Sequence, residues 1–312
     1  MEQILVNGLF SGAQYSLIAL GLTLIFGLMN VLNFAHGQMY VFGGLVTYTI
    51  VTYGLGFIPP EAFTIFGISL IFPFALICSG LVLAVLGAVF EKFLFRTVIR
   101  RSKRDESTML LAAATAFLLD AALLLIFGEK LHSIPDLVSG SISSDLEPVF
   151  PSFPLSDSFN LPYYKLVLGV IAFVMILLFI GGMRYTKPGR AMRALAQDRV
   201  AAQLMGVNVS RYTMIGFAVG AMLAGMTGGL LLAASGGIQA TEGGAKSVLA
   251  FEMIMLGGAG VTGGAIAGGF ILGMLQSVGH SSLGEFTDLV IFAALVVFLS
   301  IRPQGIMGKP WG

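Results

Sequence analysis

The sequence predicts an all-α polytopic membrane protein with about eight to ten transmembrane helices, some of them short or broken. Hydrophobic residues make up 56% of the 312-residue chain, and charged residues only 11%. The mean hydropathy of +0.92 lies far above that of a soluble globular domain, so the chain needs lipid around it. Between its charges the chain leaves apolar stretches of about 20 residues, the length that crosses a bilayer as a helix.

Nine apolar stretches are candidate spans within a single transmembrane domain, 1–312. They cover residues 4–28, 37–56, 63–90, 109–127, 164–183, 212–234, 246–261, 263–280 and 286–301. The seventh and eighth are short and share the Gly-rich link Gly257–Gly264. We expect Ile4–Leu28 to be a mature membrane helix and not a cleaved signal, because the start MEQILVNGLF carries an acid where a basic segment would stand.

The positive charges are grouped. Of the 17 Lys and Arg residues, six lie in Glu91–Ser107, six in Arg184–Arg211 and two, Arg302 and Lys309, in the tail. The positive-inside rule predicts that all three groups are cytoplasmic. Nine crossings satisfy this rule and place the N-terminus outside. Residues 91–107 then form a basic cytoplasmic loop, and residues 128–163 form a periplasmic loop that either meets another protein or is a solvated cap.

Ionisable residues inside apolar spans usually face a bundle interior or a cavity, because lipid does not solvate them. Asp120 lies in the middle of a span, and we expect it to be a hydrogen-bonded or protonated structural acid. Asp288 lies near a predicted outer end, and we expect it to be solvated. Glu252, Lys246 and Glu242 are close along the chain. Together they could form a vestibule suited to an amino acid, which carries both charges.

The stretch MNVLNFAHGQMYVFGG, Met29–Gly44, holds four polar residues and no Lys or Arg. It is therefore less suited to an exposed cytoplasmic turn than to a broken helix tucked against the bundle, where polar side chains satisfy freed backbone groups. We expect Asn33 to cap the helix that follows. His36 is either a structural brace or part of the path. The candidate path residues are Asn30, Asn33, His36, Gln38, Lys246 and Glu252.

Glycines four residues apart predict close helix packing in lipid. The pairs Gly216/Gly220 and Gly225/Gly229 have this spacing, as does the series around Gly264. The alternative is that some of these glycines let helices tilt or line a narrow path.

The second basic region contains a short helix by its residue pattern. Pro188 and Gly189 are expected to stop the preceding helix. Arg190–Met205 then fits one moderately amphipathic helix, with Gly206 as its C-terminal cap and Asn208 ready to start the next helix. Two interpretations stay open: an interfacial helix that anchors to anionic lipid, or a knob that fits a groove on a soluble partner.

Three motifs resemble one family: GLTLIFGLMNVLNFAHGQMYVFGG, GRAMRALAQDRVAAQLMGVNVSRY and GGAGVTGGAIAGG. They are similar to membrane permease subunits of ATP-binding-cassette (ABC) importers for branched-chain (hydrophobic) amino acids, the LivH/LivM type. The resemblance runs over nearly the whole chain. It implies the ABC importer permease fold and a location in the bacterial inner membrane. It also implies three kinds of partner: a second, similar permease subunit, two cytoplasmic ATPase subunits and a periplasmic substrate-binding protein.

In that family the inside-loop helix couples the permease to the ATPase, which assigns this role to Gly189–Gly206, here called the coupling segment. The family pattern Glu-Ala-Ala…Gly is met by Ala201, Ala202 and Gly206, but Val200 replaces the Glu. The residues implied for ATPase coupling are Gly189, Arg190, Arg193, Asp198, Ala201, Ala202 and Gly206. The chain lacks a GxxxxGK[ST] loop, so we expect ATP to bind on partner subunits and this chain to hold no cofactor.

Other functions have less support. A lone Cys78 and three His residues suggest neither a metal site nor a catalytic triad, and the net charge of +1 gives no support for nucleic-acid binding. We therefore expect a transport subunit and not an enzyme. The predicted solute is a branched-chain or other hydrophobic amino acid. The alternatives are urea, amides or small carboxylates carried by the same family, or a stand-alone secondary transporter.

Overall fold

The computed structural model describes residues 2–54, 64–65, 68–69, 71–102, 105–134, 152–156 and 159–308. The architecture is helical, as the sequence predicts. The helices are Glu2–Met29 (α1), His36–Gly54 (α2), Ile71–Phe90 (α3), Arg96–Arg101 (α4), Asp105–Phe127 (α5), Tyr163–Tyr185 (α6), Lys187–Gln197 (α7), Arg199–Leu204 (α8), Val209–Ser235 (α9), Gly243–Gly257 (α10), Thr262–Ser282 (α11) and Thr287–Ile301 (α12). A π-helical segment, Glu91–Phe95, joins α3 to α4.

Two small antiparallel hairpins accompany the helices. One pairs Thr64–Ile65 (β1) with Ile68–Ser69 (β2), and the other pairs Ser152–Ser156 (β3) with Phe159–Pro162 (β4). Both lie in segments that connect long helices, so they leave the helical class of the protein unchanged.

Seven helices of the described chain are long and apolar enough to cross a membrane: Gln3–Met29, Ile71–Ile99, Glu106–Phe127, Lys165–Tyr185, Val209–Ser235, Thr262–Ser282 and Gly284–Ile301. The protein is therefore a multi-pass membrane protein. All nine predicted spans overlap a helix, but α2 and α10 do not meet this measure. Below, the N-terminal side is the end of the bundle where α1 begins, and the basic side is the end that carries α4, α7 and α8.

Helix α1 is the central element, packed between α9 and α11. Small residues allow the close approach that lipid-embedded helices need. A Cβ on Gly273 would overlap the backbone of Gly12, and a Cβ on Gly220 would lie 2.7 Å from the carbonyl oxygen of Gly21. The predicted role of the Gly spacing in packing is thus confirmed for Gly220. The same holds for Gly225, whose backbone a Cβ on Gly43 would overlap.

Helix α2 begins in the middle of the bundle. Its first residue, His36, lies against Ile18, near the middle of α1, with Nε2 3.2 Å from the Ile18 carbonyl oxygen. At a rise of 1.5 Å per residue, Ile18 lies about 16 Å from the end of α1 at Met29. The non-helical residues 30–35 therefore run back from the basic side alongside α1. The broken helix that the sequence predicts is confirmed.

Helix α10 mirrors this arrangement. The chain leaves α9 at the N-terminal side, where Ile238 pairs with His132, and α10 starts at Gly243 beside Gln38. Helix α10 then continues to the basic side, where Met307 donates to the carbonyl oxygen of Gly257 at 2.9 Å. Two short helices thus start at the same depth and run apart in opposite directions.

Four boundary predictions differ from the structure. Helix α3 begins at Ile71 and not at residue 63, because β1 and β2 precede it. The predicted loop 91–107 is helical from Glu91 to Arg101. The single helix Arg190–Met205 is wrong, since Asp198 has extended backbone and separates α7 from α8. Pro188 does not stop a helix but stands in the first turn of α7, where its missing N–H is tolerated. Of the predicted periplasmic loop 128–163, residues 135–151, 157 and 158 lie outside the described residues.

Candidate functional site

The N-termini of α2 and α10 meet in what we call the central junction, Asn33–Gln38 and Gly243–Ser247. The Ser247 hydroxyl links α10 to the backbone at the start of α2. It accepts from the Gly37 backbone N–H at 2.9 Å and donates to the Phe34 carbonyl oxygen at 2.8 Å. One side chain thus satisfies a free N–H of the first turn of α2 and a carbonyl of the irregular stretch before it.

The predicted cap on α2 is confirmed. The amide oxygen of Asn33 accepts from the backbone N–H of Ala35 at 3.2 Å, and the Asn33 carbonyl accepts from the N–H of His36 at 3.1 Å. Asn33 is 1% exposed and His36 is completely buried. Both residues therefore help to fix the start of α2 inside the bundle.

Gln38 connects the central junction to α5. Its Nε2 donates to Oδ1 of Asp120 at 2.8 Å, which confirms that Asp120 is a hydrogen-bonded acid. The sequence singles out both residues but cannot pair them, since they are 82 positions apart. This bond ties a helix that does not cross the whole bundle to one that does.

Within the part of the chain that the structure describes, three buried polar atoms of the central junction have no hydrogen-bond partner: Asn33 Nδ2, His36 Nδ1 and Gln38 Oε1. An unpaired buried polar atom costs about 1–3 kcal/mol. Such atoms cluster where a structure stores strain or changes its partners during function. The central junction therefore combines tight packing with unmet hydrogen bonds, as expected of an element that closes a path in one state and rearranges in another.

The predicted vestibule on α10 forms in part. Lys246 Nζ lies 3.6 Å from Oε2 of Glu242, and Glu242 also accepts from the Gln239 backbone N–H at 3.3 Å. Glu252 is not part of this ion pair. Asp288 is exposed, as predicted.

Glu252 is half-buried, is the one acidic residue of α10, and shares its outward face with Val248, which is 49% exposed. Ionisable groups at membrane depth face protein or water and not lipid. This face of α10 is therefore a candidate path surface.

Asn30 lies elsewhere, in a cavity of about 460 Å³ on the basic side. The end of α1, the α10–α11 link, the C-terminal tail and α7 line this cavity, with Arg193 and Gln197 among its residues. Asn30 has a left-handed backbone (φ 54°), which an Asn tolerates better than most residues. The six predicted path residues thus fall into four places: this cavity, the central junction, the Lys246–Glu242 ion pair and the outward face of α10 that carries Glu252.

The coupling segment packs on the bundle through its apolar residues. Gly189 is buried against the backbone of Gly182, and Met192, Leu195 and Ala202 are at most 5% exposed. Local hydrogen bonds set the break between α7 and α8. Asp198 Oδ1 accepts from the N–H groups of Val200 and Ala201, both at 2.9 Å.

The caps after α8 match the prediction. Gly206 adopts φ 84°, the left-handed backbone of a helix C-terminal cap. Asn208 Oδ1 accepts from the Arg211 N–H at 3.0 Å and begins α9.

The outward face of the coupling segment carries exposed apolar residues that are not among the residues implied for ATPase coupling. Val200, Leu204 and Met205 are 69%, 83% and 85% exposed, and Arg190 and Arg193 of the same segment are also exposed. Exposed apolar groups ringed by charge are typical of a docking surface. The run VAAQLM in the sequence contains these residues, but only the break at Asp198 shows which of them face outward.

A buried ion pair braces the start of α9. Arg96 bonds both carboxylate oxygens of Glu91, with Nε 3.1 Å from Oε1, and its NH2 donates to the Ser210 carbonyl oxygen at 2.8 Å. Glu91 is 2% exposed and opens the π-helical segment, a helix form that is frequent at functional sites. The sequence places both residues in a basic loop and gives no sign of this contact.

Comparison with known proteins places the chain in a family. Residues 4–299 match the family described as "Branched-chain amino acid transport system / permease component". The permease protein LivH of the Escherichia coli K12 high-affinity branched-chain amino acid transport system is 31% identical, over 99% of this chain and 96% of its own length. The corresponding Pseudomonas aeruginosa protein, BraD, is 30% identical over the same shares.

A second kind of permease subunit is also similar. LivM of Escherichia coli K12 is 25% identical over 94% of this chain and 67% of its own length. The family match and the two relatives at 30% identity or more cover nearly the whole chain, including the central junction and the coupling segment. The chain therefore belongs to the family of branched-chain amino acid transport permeases and is a transmembrane transport subunit.

Proposed function

We propose that this chain is the permease subunit of an ABC importer for branched-chain or other hydrophobic amino acids. Its relatives are named for branched-chain amino acid transport. In this proposal a binding protein delivers the solute, two ATPase subunits hydrolyse ATP, and a second permease subunit, similar but not identical, completes the path. The basic side is then cytoplasmic, in the inner membrane, and the N-terminal side faces outward.

The observation that carries the proposal is Glu252. Its carboxylate is half-buried on an apolar helix, and a lipid-facing charge at this depth would be costly. When the second permease subunit covers this face, a water-filled cleft remains between the two chains. Glu252 then offers a negative group to the ammonium of an amino acid in that cleft, and Lys246, on a neighbouring face about 9 Å nearer the start of α10, offers a positive group at its edge.

The coupling segment supplies the mechanical link. Its exposed Val200, Leu204 and Met205 form an apolar knob, and Arg190 and Arg193 form a basic rim suited to a groove on an ATPase subunit. Helix α7 lines the cavity on the basic side together with the end of α1 and the C-terminal tail. A displacement of the coupling segment is therefore transmitted directly to α1. Movement of α1 against α2 and α10 then opens or closes the central junction, which gives alternating access.

The proposal is tested on the complete complex in proteoliposomes, with leucine uptake and ATP hydrolysis measured together. Arg193→Glu should abolish uptake while the complex assembles and ATP hydrolysis continues. Arg302→Glu, on an exposed residue of the same side that touches neither the knob nor the cavity, is the matched control. Normal coupling in Arg193→Glu would contradict the role given to the coupling segment.

The path face has its own test. Glu252→Gln should lower uptake roughly tenfold, the loss of one charge-assisted contact of about 1.4 kcal/mol, and Lys246→Ala should act in the same direction. Glu285→Gln, an exposed acid between α11 and α12, is the control. Unchanged uptake and substrate range in both path variants would refute the assignment. Uptake by this chain alone, driven by a proton or sodium gradient, would identify a secondary transporter instead.

A further inference from the structure

A second cavity, of about 320 Å³, lies on the N-terminal side between α1, α6 and α11. It shares no residue with the central junction or with the cavity on the basic side. Its volume lies at the lower end of the range of about 300–1,000 Å³ for small-molecule sites. On α1 it spans Asn7 to Tyr15, whereas the central junction touches Ile18 and Gly21, so the cavity lies on the proposed outer side of the junction.

One wall of the cavity is a polar stripe on an apolar helix. Asn7, Ser11 and Gln14 are spaced i, i+4 and i+7, which places them on one face of α1. Gln14 is only 5% exposed, and its amide has no hydrogen bond within the described residues. Gln14 lines the cavity, so its amide is available to a polar ligand that enters it.

The opposite wall carries a cation. Lys165 stands in the first turn of α6, with Nζ 3.3 Å from Asn7 Oδ1. A Lys at a helix N-terminus adds to the positive end of the helix dipole. Among the described residues that line the cavity there is no carboxylate to balance it. The cavity therefore favours an anion at this end.

The remaining surface is apolar. Phe10 packs on Gly169 of α6, where a Cβ would overlap its ring, and Leu168 is 2% exposed beside it. The cavity thus presents a cation, an unpaired amide and a hydrocarbon wall within one small volume. A small carboxylate with one apolar side chain matches all three.

A hydrogen-bonded chain joins this cavity to the start of α12. The Tyr15 hydroxyl donates to Gln276 Oε1 at 2.5 Å, and Gln276 Nε2 donates to Asp288 Oδ1 at 3.3 Å. Occupancy of the cavity is therefore connected, through Tyr15 and Gln276, to Asp288.

We propose that this cavity is an outer binding site for the transported amino acid, distinct from the path face on α10. The Lys165 ammonium forms an ion pair with the substrate carboxylate, and the Gln14 amide hydrogen-bonds to the polar groups of the substrate. Phe10 and Leu168 pack against the substrate side chain. This inference rests on the proposed function for the identity of the ligand, and on the cavity itself for its chemistry. At this outer site Lys165, and not Lys246, recognises the substrate carboxylate.

The first test is ligand-detected NMR on the purified full chain in phosphatidylcholine nanodiscs. The probes are L-leucine, 4-methylpentanoate, which lacks the ammonium, and 3-methylbutylamine, which lacks the carboxylate. Leucine and 4-methylpentanoate should bind and the amine should not. Lys165→Met should weaken leucine binding at least tenfold, and Lys165→Arg should restore it. Lys130→Met removes a cation near the same side without touching the cavity, and it should bind as the unmodified chain does.

Gln14→Met keeps the length of the side chain and removes the amide. It should weaken leucine binding several-fold and leave thermal unfolding nearly unchanged, because the amide makes no hydrogen bond to the described residues. Equal binding of the amine and the acids, or unchanged leucine binding in both Lys165→Met and Gln14→Met, would overturn the proposal. Loss of leucine binding when phosphatidylglycerol replaces phosphatidylcholine would also overturn it, because the anion-binding end of the cavity would then hold the phosphate of an anionic lipid.

Uptake by the complete complex separates this inference from the proposed function. Normal ATP-driven leucine uptake in Lys165→Met with intact coupling would refute the outer site and leave the importer assignment standing. Leucine binding that depends on Lys165, in a complex that does not take up leucine with ATP, would refute the importer assignment and support the site.

Discussion

Replacement of His36 tests whether this side chain stabilises the fold at the central junction, a role here called a brace. The side chain is fully buried between Gly21 and Ile18 of α1. His36→Ala leaves a void worth about 2–4 kcal/mol and removes the hydrogen bond to Ile18, worth about 1 kcal/mol. It also removes the unpaired Nδ1, which returns about 1–2 kcal/mol. The net expected loss of folding free energy is about 1–4 kcal/mol.

A matched variant separates packing from polarity. His36→Leu fills most of the same volume and removes both ring nitrogens, so the expected loss is below about 1.5 kcal/mol. Thermal unfolding of the complex in nanodiscs gives the stability, and leucine uptake by the same preparations gives the activity. A brace predicts that stability and uptake fall together in His36→Ala and recover together in His36→Leu.

The opposite pattern refutes the reasoning. If His36→Ala unfolds at the unmodified temperature while uptake is lost, the imidazole acts on the solute and not on the fold. The same conclusion follows if His36→Leu is stable and inactive. Either result would require a state of the junction in which His36 faces the path.

Three further predictions follow from the packing and the caps. Gly43→Ala should lower the unfolding temperature by several degrees because its Cβ meets backbone, whereas Gly244→Ala meets open space and should raise it slightly. Asp198→Ala should remove the cap of α8, worth about 1 kcal/mol, and should reduce uptake per ATP hydrolysed while thermal unfolding of the bundle barely changes. Glu91→Gln should destabilise the fold by about 3 kcal/mol by stranding a largely buried Arg96. The double replacement of Glu91 and Arg96 by Gln and Met should recover part of that loss, and a double variant less stable than the single one would contradict the ion-pair explanation.

The broad architecture was predictable because it depends on composition and charge placement. Apolar runs of membrane length locate the helices, and the start of α9 at Asn208 and the glycine at Gly206 follow from local capping rules. These properties act over a few residues, so the sequence alone expresses them. The broken helix before His36 was predictable for the same reason, since polar residues without flanking charge do not suit an exposed turn.

The contacts of the site were not predictable because they join distant positions. Gln38 bonds Asp120, Gly37 bonds Ser247, and Arg96 bonds Ser210, and no local pattern connects these pairs. The vestibule on α10 was only partly foreseen. Lys246 and Glu252 are six residues apart, which places them on different faces of the helix, so only Glu242 pairs with Lys246.

The central junction also bears on how this protein enters the membrane. Helix α2 starts with buried His36 and Gln38, and its polar start is covered only when α9 and α10 are in place, about 200 residues later in the chain. During synthesis α2 therefore lies in the bilayer next to α1 as an incomplete membrane span until α9 and α10 have been inserted. Assembly of this bundle is a late event that depends on its C-terminal half, and truncated chains that end before α10 should be cleared by membrane proteases.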